Sequence, residues 1–379
     1  MRGSVKKEGN SWYYVFYLEK DVNGKRRQKK KRGFKTKKEA QKALTEAINA
    51  INKGTYVEPS SILYKDYLED WFSTKQKTIG IQTAKNYEQY LHKKIIPELG
   101  SIQLSKLTTM KIQKFINNLS EQGLASATVK KIFEIIKNSL EHAVDFELVM
   151  KNAARKVKLP KMDRKEIEVW SENEINKFLN TAEGDPFYMV FHLALTTGMR
   201  QGEILGLRWK DVDLDKGKLS IKQTLSHDGK FFISGAKTKA SLRTIPLPEA
   251  TIKRLITTQI LIKEQKEKFG IIYEDHDLVV CTQHGTPINP ANVRRSFNRL
   301  IELANVPKIR FHDLRHTHAT LLLSKGVPPK VVAERLGHSN IKITLDTYSH
   351  VLPTMQEDVI RKIDEIIKDN QIKYCLKAV

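Results

Sequence analysis

Six side chains in this sequence are of the types that phosphate chemistry requires, and they stand far apart. Arg200 lies in Thr196-Thr197-Gly198-Met199-Arg200-Gln201-Gly202-Glu203, and Lys237 in Ser234-Gly235-Ala236-Lys237-Thr238-Lys239. His312 and Arg315 frame His312-Asp313-Leu314-Arg315-His316, and His338, in Leu336-Gly337-His338, is followed ten residues later by Tyr348. Breaking a phosphodiester without a metal takes a nucleophile, an acid for the leaving oxygen and fixed positive charge on the non-bridging oxygens. The charge matters most, because stabilising the charge of the transition state usually lowers the barrier more than any other contribution. Arginine suits that duty, since its planar fork donates two hydrogen bonds and stays protonated. Tyr348 is the nucleophile of the set. A phenol is ionised to only about one part in a thousand at neutral pH, so it needs a base or a cationic neighbourhood. His312 can take the proton, Arg200 and Arg315 can supply the charge, and a lysine of lowered pKa can protonate the leaving oxygen.

Each residue also has a plainer duty. Arg200 beside Glu203 reads equally as a structural ion pair. His312, His316 and His318 are spaced closely, but no cysteine or carboxylate completes a metal site, so no metal is expected. The stretch Val331 to Ile341 also has the look of a helix-turn-helix. A repressor would account for that stretch and for the charge, but would leave Arg200, Lys237, His312 and Arg315 without work.

The elements that must position these residues fall into three segments of an α+β, multidomain chain. Its 379 residues exceed one ordinary core, and 66 Lys and Arg against 43 Asp and Glu leave a net charge of +23, which favours a polyanion such as nucleic acid as partner. No apolar run of signal-peptide or membrane-span length occurs, and the two cysteines have neither metal nor disulfide-scaffold spacing. A cytosolic protein with no membrane partner is expected.

Residues 1–55 read as a small β-sheet with one helix. Trp12 to Leu18 is aromatic and β-prone, Asn23-Gly24 is a hairpin turn, and Thr36 to Glu39 resembles a capping box ahead of Ala40, Ala43, Leu44, Ala47, Ile48 and Ile51. Lys25, Arg26, Arg27, Lys29, Lys30, Lys31 and Arg32 lie on this sheet as a DNA-binding set. Residues 62–158 are helical throughout, with stripes such as Tyr64, Tyr67, Leu68, Trp71 and Phe72 read as core and lysines on the polar faces. Gly54 to Ser61 and Lys156 to Lys165 read as linkers. Residues 166–379 are mainly helical and mixed α/β, with a small β-hairpin sheet whose strands Leu219 to Ile221 and Arg243 to Leu247 bracket Lys237 as the hairpin tip. After Tyr348 the apolar residues Val351, Leu352, Met355, Val359, Ile360, Ile363, Ile366 and Ile367 keep helical spacing, and such a face must be buried somewhere.

The first arginine box, the lysine, the His-x-x-Arg box and the Leu-Gly-His box with its later tyrosine together resemble the tyrosine recombinase family, in particular the integrases of phages and conjugative elements. The resemblance implies a catalytic set of Arg200, Lys237, His312, Arg315, His338 and Tyr348, with Lys239 the alternative lysine. It implies an arm-type DNA-binding module, a helical core-binding domain and a catalytic domain that clamp DNA. The expected chemistry is cleavage and rejoining through a 3'-phosphotyrosyl link, with neither ATP nor a metal cofactor, to integrate and excise a mobile element or prophage. The implied partners are duplex attachment sites of core and arm type, further copies of the chain in a homotetramer on DNA, an excisionase and a DNA-bending protein. The implied location is the cytoplasm of a bacterial host, at the nucleoid during activity.

Overall fold

The computed structural model describes residues 3–20, 26–52, 61–161, 167–234, 242–348, 359–361 and 363–367. The chain forms two compact units, residues 1–164 and 165–379. The first unit begins with an antiparallel sheet of β1 (Gly3–Glu8), β2 (Ser11–Lys20) and β3 (Arg26–Phe34), followed by α1 (Lys37–Asn52). The expected capping box starts that helix, for the Glu39 amide donates to Thr36 Oγ1 at 3.2 Å and the Thr36 amide to Glu39 Oε2 at 3.3 Å. Tyr14 and Phe16 of β2 pack with Leu44 of α1, as strand alternation and helical spacing require.

On this sheet Lys30 lies over the Tyr13 ring at 3.8 Å, and Glu8 pairs with both Lys30 and Arg32 at 3.2 and 3.0 Å. Lys31 and Arg32 are exposed and Lys29 is half-buried. Arg26 and Arg27 belong to β3, but their side chains lie outside the described residues, as do Lys25 and the Asn23-Gly24 turn. Nearly all of the expected linker Gly54 to Ser61, and the end of the linker Lys156 to Lys165, lie outside them too.

The same unit continues as helices: α2 (Tyr64–Lys75), α3 (Ile81–Tyr90), α4 (Ile96–Leu99), α5 (Thr109–Glu121) and α6 (Ser126–Asp145). The aromatic stripe is core, with Tyr64, Tyr67, Leu68, Trp71 and Phe72 all buried. Their polar tips are satisfied inside: Tyr64 Oη lies 2.8 Å from Ser139 Oγ, and Tyr67 Oη donates to the Ser139 carbonyl at 2.6 Å. Lys77, Lys85, Lys93, Lys130 and Lys131 stand exposed on the polar faces.

The second unit opens with α7 (Glu172–Ala182), capped reciprocally by Ser171 and Glu174, then α8 (Tyr188–Thr197) and the short α9 (Gln201–Leu205). Strands β4 (Val212–Asp213), β5 (Lys218–Ile221), β6 (Gln223–Leu225), β7 (Phe232–Ser234) and β8 (Arg243–Pro246) follow. Helices α10 (Glu249–Phe269), α11 (Pro290–Ala304), α12 (Asp313–Ser324), α13 (Pro329–Leu336) and α14 (Ile341–Tyr348) complete it. Its core gathers Trp170, Phe178, Phe191, Phe297 and Phe311 with the aliphatic face of α8.

The two strands expected to bracket Lys237 do pair, as β5 with β8, and β6 and β7 form a separate two-stranded sheet inserted between them in sequence. Ile221 opposes Arg243 and Gln223 opposes Ser234, so β8 and β7 lie end to end along one nearly continuous strand, Lys218 to Leu225. Lys237 and Lys239 themselves lie outside the described residues.

Candidate active site

A cleft of about 620 Å³ in the second unit is lined by Arg200, His312, Arg315, His316 and His338, together with Glu203 and residues of β5 to β7. Four of the six expected residues thus meet around one space. Ile233 and Leu242 line it as well.

Arg200 is held by local backbone geometry. Gly198 ends α8 in the left-handed region, at φ +68°, and a Cβ there would come within 2.7 Å of both His318 and Leu336. Arg200 then stands at the N-cap of α9. Glu203 Oε2 accepts from its amide at 2.9 Å, and Oε1 accepts from Nη1 at 2.8 Å. The arginine is both things the sequence allowed: an ion pair with Glu203 and, with its side chain 40% exposed, a lining residue of the cleft.

Arg315, in the first turn of α12, is buried and braces two loops. Nη1 donates to the Gly198 carbonyl at 2.7 Å and Nη2 to the Leu336 carbonyl at 2.6 Å. One side chain therefore ties the turn before Arg200 to the turn before His338. Burial, and then the positive charge of Arg200, push its guanidinium below its ordinary value.

His338 follows Gly337, whose φ of +69° stops α13. Its Nδ1 lies 2.8 Å from the buried Thr344 hydroxyl. With that hydroxyl donating to Nδ1, the proton of the neutral ring sits on Nε2 as a hydrogen-bond donor. His312 stands at the head of α12, its ring edge-on to His316 at 5.2 Å between centroids and 84°.

Tyr348 does not line the cleft. It ends α14 at 1% exposure, packed with Ala319, Leu323, Val332 and Leu336. Its hydroxyl pairs with Nδ1 of His316 at 2.8 Å rather than with His312. Burial pushes the phenol up to about 12, opposed by Arg315. His316, held down to about 4 by burial and then by His312, stands between the phenol and the cleft. Among the described residues no three His, Cys, Asp or Glu side chains group as metal ligands would.

Sequence reasoning passed over three supports. They are His316 as partner of Tyr348, Thr344 as partner of His338, and Arg243, which grips Glu203 from β8. Arg243 left a faint signal as a charged residue opening a short strand.

The histidines predict an acid response. His316, His318 and His338 are each lowered to about 4, in every case by burial first. Below the ordinary value of 6.5 the unfolded chain takes up protons that the folded chain refuses. This contribution to stability is therefore full above about pH 6.5 and is lost as pH falls toward 4. The thermal midpoint should drop between about pH 7 and pH 5. Equal midpoints in two buffers of matched ionic strength would show these rings to be solvated.

The chain matches the phage integrase family over residues 165–355, the arm DNA-binding domain over 4–51 and the SAM-like N-terminal domain of phage integrases over 63–120. It is 32% identical to a tyrosine recombinase XerC-like protein of Caldanaerobacter subterraneus subsp. tengcongensis, over 95% of this chain and 97% of the relative. It is 28% identical to the ICEBs1 integrase of Bacillus subtilis, over 75% of this chain and 77% of that protein. The fold is similar to the Tn1549 transposon integrase solved with a circular intermediate DNA, with a TM-score of 0.67 and 20% identity over 79% of this chain and 100% of that one. It is also similar to lambda integrase solved as a tetramer on a Holliday junction, with a TM-score of 0.58 and 20% identity over 89% of this chain and 95% of that one. The chain belongs to the phage integrase family and is a tyrosine-type site-specific recombinase.

Proposed function

We propose that the chain integrates and excises a mobile element by cutting duplex attachment sites with Tyr348, within a tetramer that holds two DNA sites. The observation that carries this is the convergence of Arg200, His312, Arg315 and His338 on one cleft, with the Tyr348 hydroxyl one imidazole behind it. The scissile phosphate enters the cleft, and Arg200, Arg315 and the Nε2 proton of His338 bind its non-bridging oxygens. Tyr348 leaves His316 and attacks phosphorus, His312 accepting the phenol proton. The bond from phosphorus to the 5'-oxygen breaks, and Lys237 protonates the leaving oxygen; Lys239 is the alternative donor. The 3'-phosphotyrosyl link keeps the bond energy, so a 5'-hydroxyl from the partner duplex attacks it and restores the tyrosine. The basic sheet of residues 3–34 binds the arm sites, and action on host DNA places the work in the bacterial cytoplasm. An excisionase and a DNA-bending protein fit as accessory partners that set direction.

A repressor built on α13 and α14 is less well supported. The second helix of that pair exposes Ile341, Ile343 and Leu345 interleaved with Lys342 and Asp346, an apolar face poorly suited to reading base edges. Nicked duplexes with randomised flanks should trap the wild-type chain as a complex that survives denaturation. Protein that binds the pool and yields no such complex would favour the repressor.

The tail gives a further prediction. Val359, Ile360, Ile363, Ile366 and Ile367 are exposed, while Val351, Leu352 and Met355 lie outside the described residues. We infer that this apolar face docks on a neighbouring protomer. Deleting residues 354–379 should abolish recombination and leave arm-site binding intact, as read by a two-plasmid recombination assay and a gel shift. Recombination at the wild-type level would overturn the docking.

A further inference from the structure

We propose that Arg243 is a positioning residue for phosphate binding: by gripping Glu203 with its whole fork, it leaves Arg200 free to serve the cleft. This rests on the phosphotyrosyl chemistry proposed above and concerns a residue outside its catalytic set.

Glu203 is a carboxylate whose side chain is only 7% exposed, and two arginines compete for it. Arg243 approaches with Nη1 on Oε1 at 3.2 Å and Nη2 on Oε2 at 2.9 Å, the two-pronged pairing that matches fork to carboxylate. Arg200 gives the same carboxylate one guanidinium nitrogen, Nη1, and its amide. Exposure separates their duties. The Arg243 side chain is 6% exposed, whereas that of Arg200 is 40% exposed and lines the cleft. Arg243 is also bound from behind, because its Nε donates to the Arg335 carbonyl at 2.7 Å in the last turn of α13.

Arg243 thus joins three parts of the site. Through Glu203 it reaches Arg200. Through Arg335 it reaches the turn that carries His338. By its own position at the start of β8 it stands opposite Ile221, which lines the cleft. The physical consequence follows from charge. A buried carboxylate must be neutralised, and without Arg243 the guanidinium left on Glu203 among the described residues is that of Arg200. Arg200 would then turn both prongs onto Glu203 and be drawn out of the cleft.

The test uses the full chain and nicked duplexes first recovered as covalent adducts with the wild type. Arg243→Gln should lower the rate of adduct formation at saturating DNA by about 100-fold, the scale of a misplaced phosphate-binding group, with DNA affinity unchanged. Glu203→Gln combined with Arg243→Gln should then react about ten-fold faster than Arg243→Gln alone, because no carboxylate remains to capture Arg200. A residue with only a structural role would instead make the double variant as slow or slower. Arg243→Lys keeps the charge and one bond to Glu203, so it should fall between wild type and Arg243→Gln, and it carries the test if Arg243→Gln melts below the assay temperature. Wild-type rates in Arg243→Gln, a loss confined to DNA affinity, or a double variant no faster than the single would each overturn the assignment. A wild-type chain that forms no adduct would overturn the phosphotyrosyl chemistry, and this assignment with it.

Discussion

Replacing Tyr348 with Phe should leave DNA binding intact and remove every trace of covalent protein–DNA complex. The ring of Tyr348 is held by Ala319, Leu323, Val332 and Leu336, and phenylalanine fills that space equally well. The loss in the fold is the single hydrogen bond to His316, about 1 kcal/mol by the usual net value. The chemical loss is total, because among the described residues no other hydroxyl of the site ends a helix beside the His-x-x-Arg box. With the buried phenol pushed up to about 12, full ionisation at neutral pH costs on the order of 7 kcal/mol. Ionisation must therefore be coupled to attack, after the phenol has left the wall formed by His316. A denaturing gel of the trapped suicide duplex reads this directly. A persistent adduct in the Phe variant would move the nucleophile elsewhere, whereas no adduct from either protein would point to a repressor.

Much of this site was legible because its determinants are local. Gly198 before Arg200, the three-residue spacing of His312 and Arg315, and Gly337 before His338 are each encoded within a few residues, and each appears in the structure as a left-handed turn or a helix head. The helical stripes around Tyr64 and Trp71 were legible for the same reason, since burial repeats with the helix. What stayed hidden depends on long-range register. Arg243 meets Glu203 across 40 residues, and Tyr348 meets His316 across 32. Neither pairing has a spacing rule. The inserted β6–β7 pair stayed hidden for a similar reason: its strands are three residues each, too short for alternation to show. The sheltered position of Tyr348 was equally invisible, because whether a phenol faces a cleft or a core depends on how α14 packs.

The two cleft arginines should respond differently to the same change, and the contrast separates chemistry from scaffold. Lysine keeps the charge but loses the planar fork. At either position it should lower strand cleavage by about 100- to 1,000-fold, the usual cost of a lost donor to a developing oxyanion. Stability should divide them. Arg315 donates to the Gly198 and Leu336 carbonyls from a side chain that is almost wholly buried, so Arg315→Lys strands at least one buried carbonyl. That penalty is about 1–3 kcal/mol. The affected carbonyls lie just before Arg200 and His338, so the same substitution loosens both turns and should compound the catalytic loss. Arg200 is 40% exposed and shares its carboxylate with Arg243, which holds Glu203 when Arg200 is replaced, so Arg200→Lys should change stability by less than about 1 kcal/mol. Urea unfolding of both variants, set beside their single-turnover cleavage rates, checks the division. Equal destabilisation would mean that Arg315 is no brace, and an Arg315→Lys protein that is destabilised yet cleaves at the wild-type rate would remove it from the phosphate.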